Sequence, residues 1–348
     1  MIAKQLISML TLLGVLAATG PAAAQQGAIG ALLWQDYTSR FLDASGRIVD
    51  NANGGISHSE GQGYGLLLAF FANSPSDFAQ IWSFTKTELM IRDDGLTAWK
   101  WDPAAQPHVT DINNASDGDL LIAYALAMAG AAWEREDYLA SAAALARAIL
   151  DHVVVESGGR VLLLPAAEGF DAGARADGPV INPSYWIFEA FPIMAILAPS
   201  DRWSRLQQDG IALIGKMQFG PRRLPAEWVS LARQPKPADG FAAEFGYNAI
   251  RIPLYLQRAS LEHIELAKRL LEGMTIDGTP AIIDLPSGQA KERLEDPGYQ
   301  FVNHILACVS EGRTIPVAAR ELTSQVYYPA TLHLLGLAYI VEKHPSCL

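Results

Sequence analysis

Apolar residues recur along most of this chain at helical spacing, and polar residues gather in short clusters between the apolar stretches. The pattern predicts helices near residues 27–44, 62–73, 75–90, 118–133, 137–154, 184–198, 201–217, 246–258, 260–274, 299–311, 316–326 and 328–343. Several starts carry local signals. Ser74-Pro75 places a cap before a proline at the first helical position. Ser116 precedes Asp117 and Asp119, acids that suit the positive end of a helix dipole. Leu120 to Ala132 and Pro192 to Leu197 are apolar nearly all round, as in helices buried on more than one side. Strand signals are few. Val153-Val154-Val155 and Val161-Leu162-Leu163-Leu164 flank Gly158-Gly159, which predicts one short hairpin. The fold class is therefore all-α with a minor β-hairpin. Its helices suit six hairpins closed into a ring, with loops gathered at the end of an inner layer.

The chain has 348 residues, half of them hydrophobic, which is enough for a sizeable core. No linker or low-complexity break divides it, so residues 25–348 are expected to form a single domain. Residues 1–24 read as a secretory signal: Lys4 supplies the positive start, Leu6 to Ala18 the apolar centre, and Ala22-Ala23-Ala24 a small-residue cleavage site. No later segment offers the roughly 20 uninterrupted apolar residues of a membrane span. The expectation is an exported, periplasmic or secreted protein with no membrane insertion after cleavage. Without Lys4, net charge moves from −11 to −12. Such an acidic chain, with no basic cluster, argues against nucleic acid and anionic membranes and fits a neutral substrate such as a polysaccharide. Cys308 and Cys347 permit one bridge in an oxidising compartment, although the apolar helical run around Cys308 equally suits a buried free thiol. No zinc or haem spacing appears, and the seven histidines do not cluster.

The polar clusters hold the candidate chemistry. Ser59-Glu60-Gly61-Gln62-Gly63-Tyr64-Gly65 sets one carboxylate among three glycines, where other backbone or a ligand can approach closely. Read alone, Ser57 and Glu60 have the spacing of a capping box. Others are Arg92 to Trp101, Asn114-Ala115-Ser116-Asp117-Gly118-Asp119, Asn182-Pro183-Ser184-Tyr185-Trp186, Phe245 to Arg251 and Tyr327-Tyr328-Pro329. In a helical ring, several of these come to one rim.

These segments resemble glycoside hydrolase family 8, through nearly all the mature chain. The likeness runs closest to endoglucanases that accompany bacterial cellulose-synthesis systems. Asn114 to Asp119 with Ile122-Ala123-Tyr124-Ala125 fits the family signature, as do Ser59 to Gly65 and Asn182 to Tyr185. The resemblance implies an (α/α)6 barrel, a cleft for β-1,4-linked glucan, inversion at the anomeric carbon, no cofactor, and a monomer that could associate with a cellulose-synthesis complex. It makes Glu60 the general acid for the departing glycosidic oxygen, a role that requires a proton held near neutral pH. It makes Asp117 the carboxylate gripping the distorted sugar at the central subsite. Trp99, Trp101, Tyr64 and Tyr185 are candidate stacking platforms. Arg251 is expected to hydrogen-bond the sugar or a catalytic carboxylate, and Tyr327 and Tyr328 are weaker candidates.

One departure stands out. An inverting hydrolase needs two carboxyl groups about 6.5–9.5 Å apart, with a water between them. Many members carry the base as an aspartate in a Tyr-Asp-Ala-x-Arg-like segment. Here the segment is Tyr247-Asn248-Ala249-Ile250-Arg251, and a neutral amide can orient a water but is not itself a base. Another carboxylate could serve, with Asp177, Glu227, Asp239, Glu244 and Asp117 open. Alternatively, the enzyme works without a dedicated base, or it binds glucan without cutting it. Beside an endo-β-1,4-glucanase, a chitosanase, mixed-linkage glucanase, xylanase or non-catalytic component of a cellulose-secretion system remains an alternative.

Overall fold

Two kinds of helix alternate along most of the chain in the computed structural model, which describes residues 27–259 and 263–348. The proposed signal at 1–24 lies outside these. The helices are α1 (Ala31–Phe41), α2 (Ser59–Phe71), α3 (Pro75–Phe84), α4 (Ser116–Ala132), α5 (Glu136–His152), α6 (Phe191–Leu197), α7 (Arg202–Lys216), α8 (Ile252–Ala259), α9 (Ile264–Met274), α10 (Pro297–Glu311) and α11 (Tyr327–Lys343). In α2, α4 and α11 nearly every residue is buried. In α1, α3, α5, α7 and α9 one apolar face is buried and the other is wet, as expected of an outer layer.

The inner helices close on themselves. Helix α2 packs on α4, α4 on α6, α8 on α10, α10 on α11, and α11 back on α2. Between α6 and α8 the ring is completed by the 3₁₀ turns Pro183–Tyr185 and Asn248–Arg251 that precede them. This is the (α/α)6 barrel. Close approach of α2 and α4 depends on two glycines. A Cβ at Gly63 would sit 2.5 Å from Leu121 Cβ, and one at Gly118 would sit 2.1 Å from Ser59 Oγ and 2.7 Å from Glu60 N. The glycines between the carboxylates thus let two helix starts meet.

Several expected helices are shorter. The segment 316–326 is not a helix; only Val317–Arg320 makes a 3₁₀ turn, and none of its residues is buried. Beyond it Leu322 and Ser324 are buried while Glu321, Thr323 and Gln325 are exposed, a period of two that belongs to extended chain rather than to a helix. The span 184–198 becomes a 3₁₀ turn and then α6, whose first turn holds Pro192. The span 246–258 likewise opens as 3₁₀ before α8.

The predicted hairpin forms, pairing Val154–Ser157 with Arg160–Leu163. Its turn residues Gly158 and Gly159 both have positive φ, 58° and 75°, as a two-residue turn between twisted strands requires. Further short antiparallel strands were not legible in the pattern, being too brief to alternate. Ser57–His58 pairs with Lys100–Trp101. Val180–Ile181, Val229–Ser230 and Lys236–Pro237 form a second sheet. Glu244–Phe245, Thr279–Asp284, Ala290–Arg293 and Thr275–Ile276 form another. Three of these strands run directly into the segments carrying Glu60, Asn182 and Asn248.

Cys308 and Cys347 are joined by a disulfide, with Cα atoms 5.9 Å apart, closing a loop of sequence separation 39. The thiols are therefore not free. Loop-closure entropy for such a loop predicts that Cys308→Ser with Cys347→Ser lowers unfolding stability by about 4 kcal/mol. Urea titration of the oxidised protein against the double variant measures this.

Candidate active site

The centre of the site is a cation. Arg251 ends the 3₁₀ turn before α8, and its side chain is completely buried. Its Nε donates to Ser184 O at 3.0 Å. One terminal nitrogen donates to Glu60 Oε1 and the other to Asp117 Oδ2, the latter at 2.6 Å. A planar guanidinium can hold several acceptors in fixed directions, which a lysine cannot. Glu60 sits in the first turn of α2 and Asp117 in the first turn of α4. Arg251 thus joins three elements of the ring.

Local chemistry places each partner. The capping box expected from Ser57 and Glu60 does not form. Ser57 lies in a strand and donates to Ile48 O at 2.6 Å. His58 is the cap instead, its Nδ1 accepting from Gly61 N at 2.9 Å. This leaves the Glu60 carboxylate available to Arg251 and the cleft. His58 Nε2 is 3.6 Å from Asp50, and Nδ1 is 4.0 Å from Glu60. Burial alone would lower the His58 pKa, but Asp50, Glu60 and Asp117 outweigh it and raise it. Protonating Nδ1 would, however, give up the helix cap.

In the second cluster, Asp117 Oδ1 accepts from Gly118 N at 2.8 Å. Burial, then the charge of Glu60, push the Asp117 carboxyl up to about 7 against the pull of Arg251. Asp119 faces elsewhere. It accepts from Thr97 N and Oγ1 at 2.9 and 2.6 Å and from Asn114 Nδ2 at 2.8 Å. It therefore anchors the loop that delivers Trp99. Burial raises Asp119 to about 6 despite those bonds. Asn182 Oδ1 accepts from Ser184 Oγ at 2.6 Å, fixing a turn that gives Ser184 O to Arg251 and Tyr185 to the cleft.

A cleft of about 690 Å³ opens over this group. His58, Glu60, Trp99, Asp117, Tyr185, Asn248 and Tyr327 are among the residues on its wall. The Trp99 indole is held by Asp111 Oδ2 at 2.9 Å.

The family model for glycosyl hydrolases family 8 matches residues 7–342. The chain belongs to this family. A probable endoglucanase of Novacetimonas hansenii is 35% identical over 331 residues, covering 92% of this chain and 94% of that protein. An endoglucanase of Cellulomonas uda is 40% identical over 297 residues, covering 84% and 80%. Among solved structures, a family 8 endoglucanase from Klebsiella pneumoniae superposes with a TM-score of 0.81 at 32% identity, covering 90% of this chain and all of that one. An endo-β-1,4-glucanase from Acetobacter xylinum gives 0.79 at 34%, covering 89% and 98%.

In this family 8 hydrolase the site residues expected from sequence divide into two groups. Glu60, Asp117, Trp99, Tyr185 and Asn248 meet at the cleft. Tyr64 does not. It is fully buried, with its hydroxyl on Tyr255, because α2 points it into the ring rather than over the rim. It supports the site from behind and is not a sugar platform. Arg251 is also below the surface and binds carboxylates. Trp101 is covered by His108, stacked at 4.2 Å, and by Arg47 at 4.6 Å. Sequence reasoning missed Asp50, His58, Glu292 and Tyr299 on the cleft wall. Only His58, two residues before the acid, had a local signal. The others come from different elements: Asp50 from the stretch before α2, Glu292 from the strand Ala290–Arg293 and Tyr299 from the first turn of α10.

Ionising Asp117 opposes folding, because its folded pKa lies above the unfolded value near 3.8. The stability linked to its proton is fully present below about pH 4 and is lost as pH rises through about 7. Asp117→Asn cannot ionise. Urea unfolding across this range should show the variant gaining on the wild type as pH rises.

Proposed function

We propose that this chain is an exported endo-β-1,4-glucanase that hydrolyses internal linkages of amorphous cellulose with inversion. The observation that carries the reading is the pairing of Glu60 and Asp117 on one buried arginine at the floor of an aromatic-flanked cleft. The names of the relatives at 35% and 40% identity supply the substrate class. The Cys308–Cys347 disulfide supports an oxidising compartment. No helix among the described residues is long and apolar enough to cross a membrane.

In this reading Glu60, whose side chain keeps 16% exposure, protonates the glycosidic oxygen. Asp117, at 1% exposure, grips the sugar at the cleavage point. Arg251 keeps the two carboxylates from moving apart and offsets part of their mutual repulsion. Trp99 and Tyr185 offer apolar faces to pyranose rings.

A chitosanase reading has one observation in its favour. Asp50, Glu292, Glu295 and Asp296 also line the cleft, and acids there would attract a cationic polymer. Two of them already serve the fold. Glu292 accepts from the Tyr247 hydroxyl, and Asp296 caps α10. A panel of soluble cellulose derivative, mixed-linkage glucan, xylan and chitosan separates the readings.

Glu60→Gln should lower reducing-end release from the cellulose derivative by about 10²-fold or more, read at a temperature where the variant is still folded by circular dichroism. Retained activity would remove Glu60 from its role. The first product should carry the α configuration by NMR. Trp99→Ala should raise KM more than it lowers kcat, because stacking holds ground and transition states alike.

A further inference from the structure

The residue opposite Arg251 in the Asn248 segment has its own partner. Asn248 Nδ2 and backbone N both donate to Glu227 Oε1, the latter at 3.3 Å. A carboxylate only accepts, so the amide's NH₂ end must face Glu227 and its Oδ1 must face away. Asn248 lines the cleft, and among the described residues its Oδ1 takes no protein hydrogen bond. Glu227 itself is 9% exposed.

The chain makes room for this carboxylate. A Cβ at Gly246 would stand 2.0 Å from Glu227 Oε2. Gly246 does not have a positive φ, so space rather than backbone conformation calls for the glycine. The other acids open from sequence are engaged elsewhere. Asp177 binds Arg175 and Asp239 N, Asp239 binds Lys236, and Glu244 binds Lys291. Both oxygens of Asp117 are already hydrogen-bonded, to Arg251 and Gly118.

We propose that Asn248 and Glu227 together replace the missing aspartate, with Glu227 accepting the proton of the attacking water through the Asn248 amide. This rests on the hydrolase reading above. Water oxygen bonds to the anomeric carbon as the glycosidic C–O bond breaks, and Glu60 gives its proton to the leaving oxygen. The water's proton passes to Asn248 Oδ1 while one Nδ2 proton passes to Glu227 Oε1. Asn248 is then an imidic acid and Glu227 a neutral acid. The reset returns the Glu227 proton to the Asn248 nitrogen and releases the Oδ1 proton to solvent, from which Glu60 regains its own. Burial, aided by the charge of Glu244, raises the Glu227 pKa despite the Asn248 bonds, which suits a group that must take a proton.

The test is a set of variants in the full chain, assayed on soluble cellulose derivative: Glu227→Gln, Asn248→Ala, Asn248→Asp, Glu227→Gln with Asn248→Asp, and Glu60→Gln as the reference. Glutamine can still accept from Asn248, so a merely structural role would survive Glu227→Gln. The relay predicts that this variant loses kcat by about 10²-fold, with KM near the wild-type value. It also predicts that adding Asn248→Asp recovers activity at least about tenfold, because an aspartate takes the proton directly. Normal kcat in Glu227→Gln, or no recovery in a double variant that melts like the wild type, overturns the relay. If Glu227→Gln unfolds early, Asn248→Ala decides: normal kcat there overturns the relay, and a loss of about 10²-fold supports it. Activity lost in Glu60→Gln but kept in Glu227→Gln sinks the relay alone. A wild type inactive on every glucan sinks the hydrolase reading and the relay together.

Discussion

A fully buried guanidinium is the constraint on which the site depends. Burying Arg251 away from water is costly unless its charge is matched and its N–H groups are used. Glu60, Asp117 and the Ser184 carbonyl do both. Each comes from a different part of the ring, so the ion network also ties the starts of α2 and α4 to the turn before α6 and to Arg251 itself. Removing either carboxylate would leave buried charge uncompensated, and the geometry of the pair would go with it.

The barrel makes this arrangement possible. Helices α2 and α4 are apolar almost all round and meet through glycine, so their N-terminal turns arrive together at one end. Short strands then steer the loops over that end. The Asp119–Thr97 bonds bring in Trp99, and the Asn182 turn brings in Tyr185 and Ser184. Residues that look alike in sequence divide their work. Asp117 and Asp119 are two positions apart, yet one faces the cleft and the other pins a loop.

The same logic explains why Asn248 need not end catalysis. Its neighbourhood already holds a carboxylate in a space kept open by Gly246. Replacing an aspartate by asparagine removes a charge from the cleft surface, while the Glu227 charge remains one hydrogen bond behind it.

Local pattern by itself determined the helical class, most helix positions, the Gly158-Gly159 hairpin and the clusters from which the site is built. Those properties depend on neighbours within a few residues: apolar spacing, caps and turn chemistry. Tertiary structure alone decided the rest. Whether Tyr64 faces sugar or core, whether Ser57 or His58 caps α2, whether Cys308 is paired, and which acid stands beside Asn248 all depend on groups distant in the chain. Glu227 is 21 residues from Asn248 and Glu60 is 191 from Arg251. Only closing the ring brings them within reach.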